Sequence, residues 1–142
     1  MKNCDLERAR EIFDSGDYTC VLCKGEVTLT STERGVKPLL NWLDGENVLK
    51  GFSAADKVVG RAAAFLYILM EVKEVYAGVM SEGAADVFAK YGIQFGYGVL
   101  AKEIINRKGD GICPMEQAVT GIDVPEQALV AVRERCRKLN IT

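Results

Sequence analysis

Residues 62 to 70 read Ala-Ala-Ala-Phe-Leu-Tyr-Ile-Leu-Met, nine apolar residues in a row. A membrane span needs about 20. A run this short has to be buried inside the protein instead, which makes Val58 to Met70 a helix covered on most sides, with Phe65, Leu66, Tyr67 and Ile68 as core side chains. A helix of that kind needs sheet or helix neighbours to hide it, and the flanking sequence supplies both.

Leu6, Ala9, Ile12 and Phe13 recur at helical spacing, with Gly16 as a stop. Tyr18 to Lys24 and Glu26 to Thr30 read as a hairpin around Gly25. Pro38 opens a short helix through Trp42. Val48 to Ser53, Glu74 to Met80 and Ile93 to Tyr97 read as three further strands. Asp56 is placed to cap the apolar helix, and Ser81 to cap a helix that ends at Tyr91-Gly92. Arg107 to Gly111 reads as a tight turn. Pro114 and Pro125 each open a helix, a place that tolerates the missing N–H. A helix, a hairpin and then alternating strands and helices argue an α/β fold. The expected form is a three-layer α/β/α sandwich with a mixed five-stranded sheet, in one domain over residues 1–142.

The chain has 142 residues, enough for one ordinary domain with a real core. Net charge is −2 with both signs interspersed, so no basic stripe marks nucleic acid or a membrane as partner. Residues 1–5 lead into an amphipathic stretch without the apolar segment of a signal peptide. Five irregularly spaced cysteines then fit reduced thiols and a cytoplasmic location better than a disulfide framework. Histidine is absent. That excludes Ser-His-Asp and Cys-His nucleophile pairs and every zinc site with a His ligand. Acid–base work is left to Asp, Glu, Lys, Tyr or Cys. Cys20 and Cys23 have metal-site spacing, but residues three apart on a strand face opposite ways. No metal and no cofactor is therefore expected.

Two segments resemble the cytidine-deaminase fold. One is Gly51-Phe52-Ser53-Ala54-Ala55-Asp56-Lys57-Val58, the other Met80 through Gly92-Ile93. In deaminases the zinc ligands open the two helices at these places. Here Val59-Gly60-Arg61 and Met80-Ser81-Glu82-Gly83-Ala84 stand there, without thiol, imidazole or catalytic glutamate in register. The resemblance thus implies the fold and not nucleobase deamination, which needs the metal. The chain is also similar, over most of its length, to a small bacterial family of unknown function with this fold. The residues carrying that similarity are Thr32-Glu33-Arg34-Gly35, Ala55 to Gly60, Met80-Ser81-Glu82, and Asn106-Arg107 through Gly111-Ile112-Cys113-Pro114-Met115-Glu116.

Cys113-Pro114-Met115-Glu116 is the most distinctive segment. With Pro114 first in the helix, Cys113 is the N-cap and Glu116 stands at the capping-box position. A thiol there feels the positive end of the helix, which favours a thiolate, while the Glu116 charge opposes it. The alternatives are a reactive nucleophile and a packed cap. Asp56 and Lys57, between a strand end and a helix start, suit an anion; otherwise they are a cap and a solvated lysine. Ser81 and Glu82 are an ordinary cap and first-turn carboxylate unless they neighbour Lys57. Arg34 and Arg107 can each reach an anionic group. These residues predict a pocket for a small anionic metabolite, a nucleotide-like one included, with Cys113 as the reactive group if the protein is an enzyme. The rival readings are a non-catalytic sensor and a protein-interaction domain, the latter a homo-oligomer through its apolar surface.

Overall fold

The structure is a computed structural model that describes residues 5–45, 48–105, 108–109 and 111–139. In chain order its elements are α1 (Asp5–Asp14), β1 (Cys20–Lys24), β2 (Val27–Ser31), α2 (Lys37–Asp44), β3 (Ser53–Val59), α3 (Arg61–Met70), β4 (Glu74–Ser81), α4 (Glu82–Tyr91), β5 (Gln94–Ala101), α5 (Pro114–Ala118) and α6 (Pro125–Lys138).

The five strands form one mixed sheet in the order β2-β1-β3-β4-β5. The β1–β2 hairpin is antiparallel and closes on Gly25-Glu26, with Lys24 opposite Val27. Gly25 supplies the positive φ, +58°, at no steric cost. β1 also runs antiparallel to β3, while β3, β4 and β5 are parallel. Alternation then sorts the side chains. Cys20 and Leu22 of β1 face the large core under α3, whereas Val21 and Cys23 face a smaller cluster with Ala9 of α1. The two thiols of the Cys20-Cys23 pair thus lie on opposite faces, as strand geometry requires.

α3 is the buried helix expected of the apolar run, but it starts at Arg61 and not at Val58, because Val58 and Val59 belong to β3. Ala62 to Tyr67 are all buried, and α2, α4, α5 and α6 pack against it. α1 packs on β1, β3 and β4. α4 is capped by Ser81, whose hydroxyl accepts from the Ala84 N–H at 3.0 Å, and it ends on Gly92 at φ +74°. No helix among the described residues is long and apolar enough to cross a membrane.

Two strands differ from the reading above. Val48 to Ser53 is not a strand: Val48 is 78% exposed, and the chain turns at Gly51 with φ +84°. The third strand is Ser53–Val59, so Asp56 lies inside it and caps nothing. The poor strand propensity of Asp is overridden because β3 is central and pairs on both sides. β5 runs on past Tyr97 to Ala101 through Gly96 and Gly98. At Gly98 a side chain would not fit, since a Cβ there would lie 2.9 Å from the Gly78 carbonyl oxygen. The glycine marks close backbone approach, not the end of a strand.

Candidate functional site

β3 ends beside the start of β1 and the first turn of α3. A cavity of about 420 Å³ opens there. Cys20, Asp56 and Ala62 line it from β1, β3 and α3, Arg34 from the segment after the hairpin, Cys113 from the approach to α5 and Glu116 from α5 itself. It lies toward the carboxyl end of β3, the side on which open α/β sheets take their ligands.

Asp56 is its most unusual member, a carboxyl only 8% exposed. The Tyr67 hydroxyl donates to Asp56 Oδ2 at 2.6 Å, and Cys20 Sγ lies 3.1 Å from the same hydroxyl oxygen. Since the Tyr67 proton is committed to Asp56, the thiol is the donor in the second contact. Burial pushes the Asp56 carboxyl from 3.8 up to about 6, although Tyr67, the backbone of Lys57 and Val58 and, least, the Cys20 thiol pull it down. Burial, then the Asp56 charge, raises the Cys20 thiol and the Tyr67 hydroxyl well above their ordinary values. At rest both are neutral, and the network carries at most the one charge of Asp56.

Glu116 is committed in another way. Its Oε1 accepts from the Arg61 N–H at 2.7 Å and its Oε2 from the Ala62 N–H at 2.8 Å. The carboxylate of α5 therefore caps α3, and the helix dipole favours it there. Gly60 makes this possible, because a Cβ at that position would stand 2.5 Å from Glu116 Oε1. The capping box of Cys113 does not form: the Cys113 N–H donates to the Ile104 carbonyl at 2.9 Å, and its thiol makes no cap bond. α5 has five residues, too short for a strong dipole at Cys113.

The structure thus brings Arg34, Asp56, Lys57, Cys113 and Glu116 to one cavity. Alternation along β3 gives the Lys57 side chain the opposite face from Asp56, so the residue meets the cavity chiefly through its backbone. Ser81 and Glu82 are not among the lining residues; the Ser81 hydroxyl is spent on its cap and Glu82 is exposed. Arg107 lies outside the described residues. Cys20 and Tyr67 escaped the sequence reading. A signal for Tyr67 was present: a hydroxyl in an otherwise apolar run needs a buried acceptor. Cys20 carried none beyond its strand face. Among the described residues no group of three or more Cys, Asp or Glu is placed to hold a metal.

Comparison with known proteins adds a family. No curated protein matches the chain. A solved structure does, the crystal structure of a DUF1893 family protein from Thermotoga maritima. It is 28% identical, with a TM-score of 0.84, and the match covers 97% of this chain and 92% of that one. The sequence pattern of the family, TM1506, a domain of unknown function (DUF1893), fits residues 8–136, and the chain belongs to that family.

Proposed function

We propose that the cavity binds a small anionic metabolite, on a scaffold layered like a cytidine deaminase but without its zinc chemistry. The observation that carries the reading is the meeting of Arg34 with the buried Asp56 in one 420 Å³ cavity. Shifted titratable groups that line a cleft cluster at functional sites, and Asp56 is such a group. Among the described residues the Arg34 guanidinium has no ion-pair partner, which leaves it free for a carboxylate or phosphate. Val36, Leu39, Ala63 and Met115 give the remaining wall an apolar character. No described lining residue is aromatic, so a nucleobase finds no stacking face, and a small carboxylate or phosphate fits better than a whole nucleotide.

The test is thermal unfolding with a panel of small carboxylates and phosphates, on the native chain and on Arg34→Ala. A ligand at 100 times its Kd adds about 2.7 kcal/mol, which is several degrees in a chain of this size. The reading expects at least one compound to stabilise the native chain and lose its effect on Arg34→Ala. Equal stabilisation of both, or none of either, overturns it.

A second reading, an interaction domain, rests on β5. This edge strand has eight residues with neither charge nor proline, and Phe95, Tyr97, Val99 and Leu100 are exposed on it. Proteins usually blunt such an edge. A second copy of the chain pairing through its own β5 would cover it. Sedimentation across a concentration series checks this, and a monomer at every concentration refutes it.

A further inference from the structure

We propose that Cys20 is a nucleophile of the cavity, deprotonated through Tyr67 by Asp56, and that its substrate is a small anionic carbonyl compound. The substrate class rests on the anion reading of the cavity; the relay does not. A nucleophile needs a base within hydrogen-bond reach and a group that orients the base. Here the chain Cys20 Sγ, Tyr67 Oη, Asp56 Oδ2 runs in contacts of 3.1 and 2.6 Å. Cys20 and Asp56, themselves only 1% and 8% exposed, both line the cavity, and Tyr67 behind them links the two. The carboxylate is thus reached from Cys20 without solvent.

The step balances. As the Cys20 sulfur bonds to the carbonyl carbon, its proton passes to the Tyr67 oxygen, and the Tyr67 proton passes to Asp56 Oδ2. The C=O π bond breaks and its electron pair stays on oxygen. The negative charge that Asp56 gives up reappears on that oxyanion. Two adjacent anions never form, which is what a buried site requires. A free Cys20 thiolate beside ionised Asp56 would be such a pair. The groups facing Asp56 are Tyr67 from α3 and Cys20 from β1. Arg34, Glu116 and Cys113 share the cavity, and Lys57 follows Asp56 along β3.

The experiment alkylates the native chain with iodoacetamide and with iodoacetate from pH 5 to 9, and locates each modified cysteine by mass spectrometry. The thiol proton leaves through the relay as iodide departs. The Cys20 rate with iodoacetamide should rise as Asp56 ionises around pH 6 and then level off, not climb toward the free-thiol value of about 8.5. Tyr67→Phe and Asp56→Asn should each lose this limb, with a fall on the order of 100-fold at pH 7. The native profile alone decides the matter if a variant fails to fold. An unmodified Cys20, or a rate that climbs tenfold per pH unit through pH 8, overturns the relay, whether or not Cys113 reacts. A preference of Cys20 for iodoacetate that Arg34→Ala abolishes reports the anion site separately, so the two readings fail independently.

Discussion

Replacing Asp56 by Asn should change how stability depends on pH more than it changes stability itself. The Asp56 carboxyl titrates at about 6 in the folded chain against 3.8 ordinarily. The folded state therefore holds that proton more tightly, by about 3 kcal/mol. The sign follows from proton counts. Well below 3.8 the carboxyl is protonated whether folded or not, and nothing is lost. Between about pH 4 and 6 the unfolded chain gives up its proton first, and stability falls as pH rises. From about pH 7 both states are ionised and the full loss, about 3 kcal/mol, has accrued. An amide has no charge to bury. In Asp56→Asn the amide can donate to Tyr67, whose own proton then turns to Cys20. The cost of that rearrangement is the same at every pH and appears as an offset. Urea unfolding of both proteins at pH 4, 5, 6 and 7 and fixed ionic strength separates the two terms, with stability read from the midpoint at constant m. Other carboxylates titrate alike in both proteins and cancel; Asp44, lowered by its hydrogen bonds to Arg133, is one of them. The stability of Asp56→Asn relative to the native chain should rise by about 2.4 kcal/mol from pH 4 to 7, the rest of the loss having accrued below pH 4. A difference that stays flat, or falls, refutes the buried charge.

Three further outcomes follow from the same contacts. Glu116→Ala uncaps α3 and should cost about 1–2 kcal/mol in denaturant unfolding. Gly60→Ala drives a Cβ into the Glu116 carboxylate and should cost a similar amount, but far less on a Glu116→Ala background; additive costs would show that the two do not act together. Gly98→Ala must part β4 from β5 and should cost about 1–3 kcal/mol. Gly96→Ala, whose Cβ meets only Tyr76 at 3.7 Å, should be near neutral, and equal costs for the two would refute the close approach.

The fold was legible where a pattern had one solution. The apolar run could only be a buried helix, and Ser81 with Gly92 marked both ends of α4. The hairpin read correctly because Gly25 sits between two strand-forming segments. The third strand was misplaced because Ser53 to Val59 contains Asp and Lys, which local propensity assigns to a loop or cap. Only its central place, paired to β1 and β4, makes a strand of it, and pairing is not written in the segment. β5 was cut short for the converse reason: its glycines look like stops until Gly78 is seen beside them.

Of the candidate site, several lining residues were legible and their hydrogen-bond partners were not. Glu116 was expected to fold back on its own helix, yet its carboxylate spans to α3. That contact matters for the cavity as well. The N-terminal amides of α3 are the anion site this fold would ordinarily offer, and Glu116 already fills it. Gly60, which leaves room for the carboxylate, shows that the filling is built into the sequence. On the proposed reading an anion would meet Arg34, and the hydrogen-bonded chain of Asp56, Tyr67 and Cys20 would carry the proton. Sequence reasoning chose Cys113 because it sits at a helix start, but that helix has five residues and its thiol has no cap bond. Cys20 lies in a strand with no local mark, and only the tertiary meeting of β1, β3 and α3 gives it a proton acceptor. The hydrogen-bonded chain beside this cavity is therefore a property of packing, and the thiol it joins to a carboxylate is Cys20, not the one at a helix start.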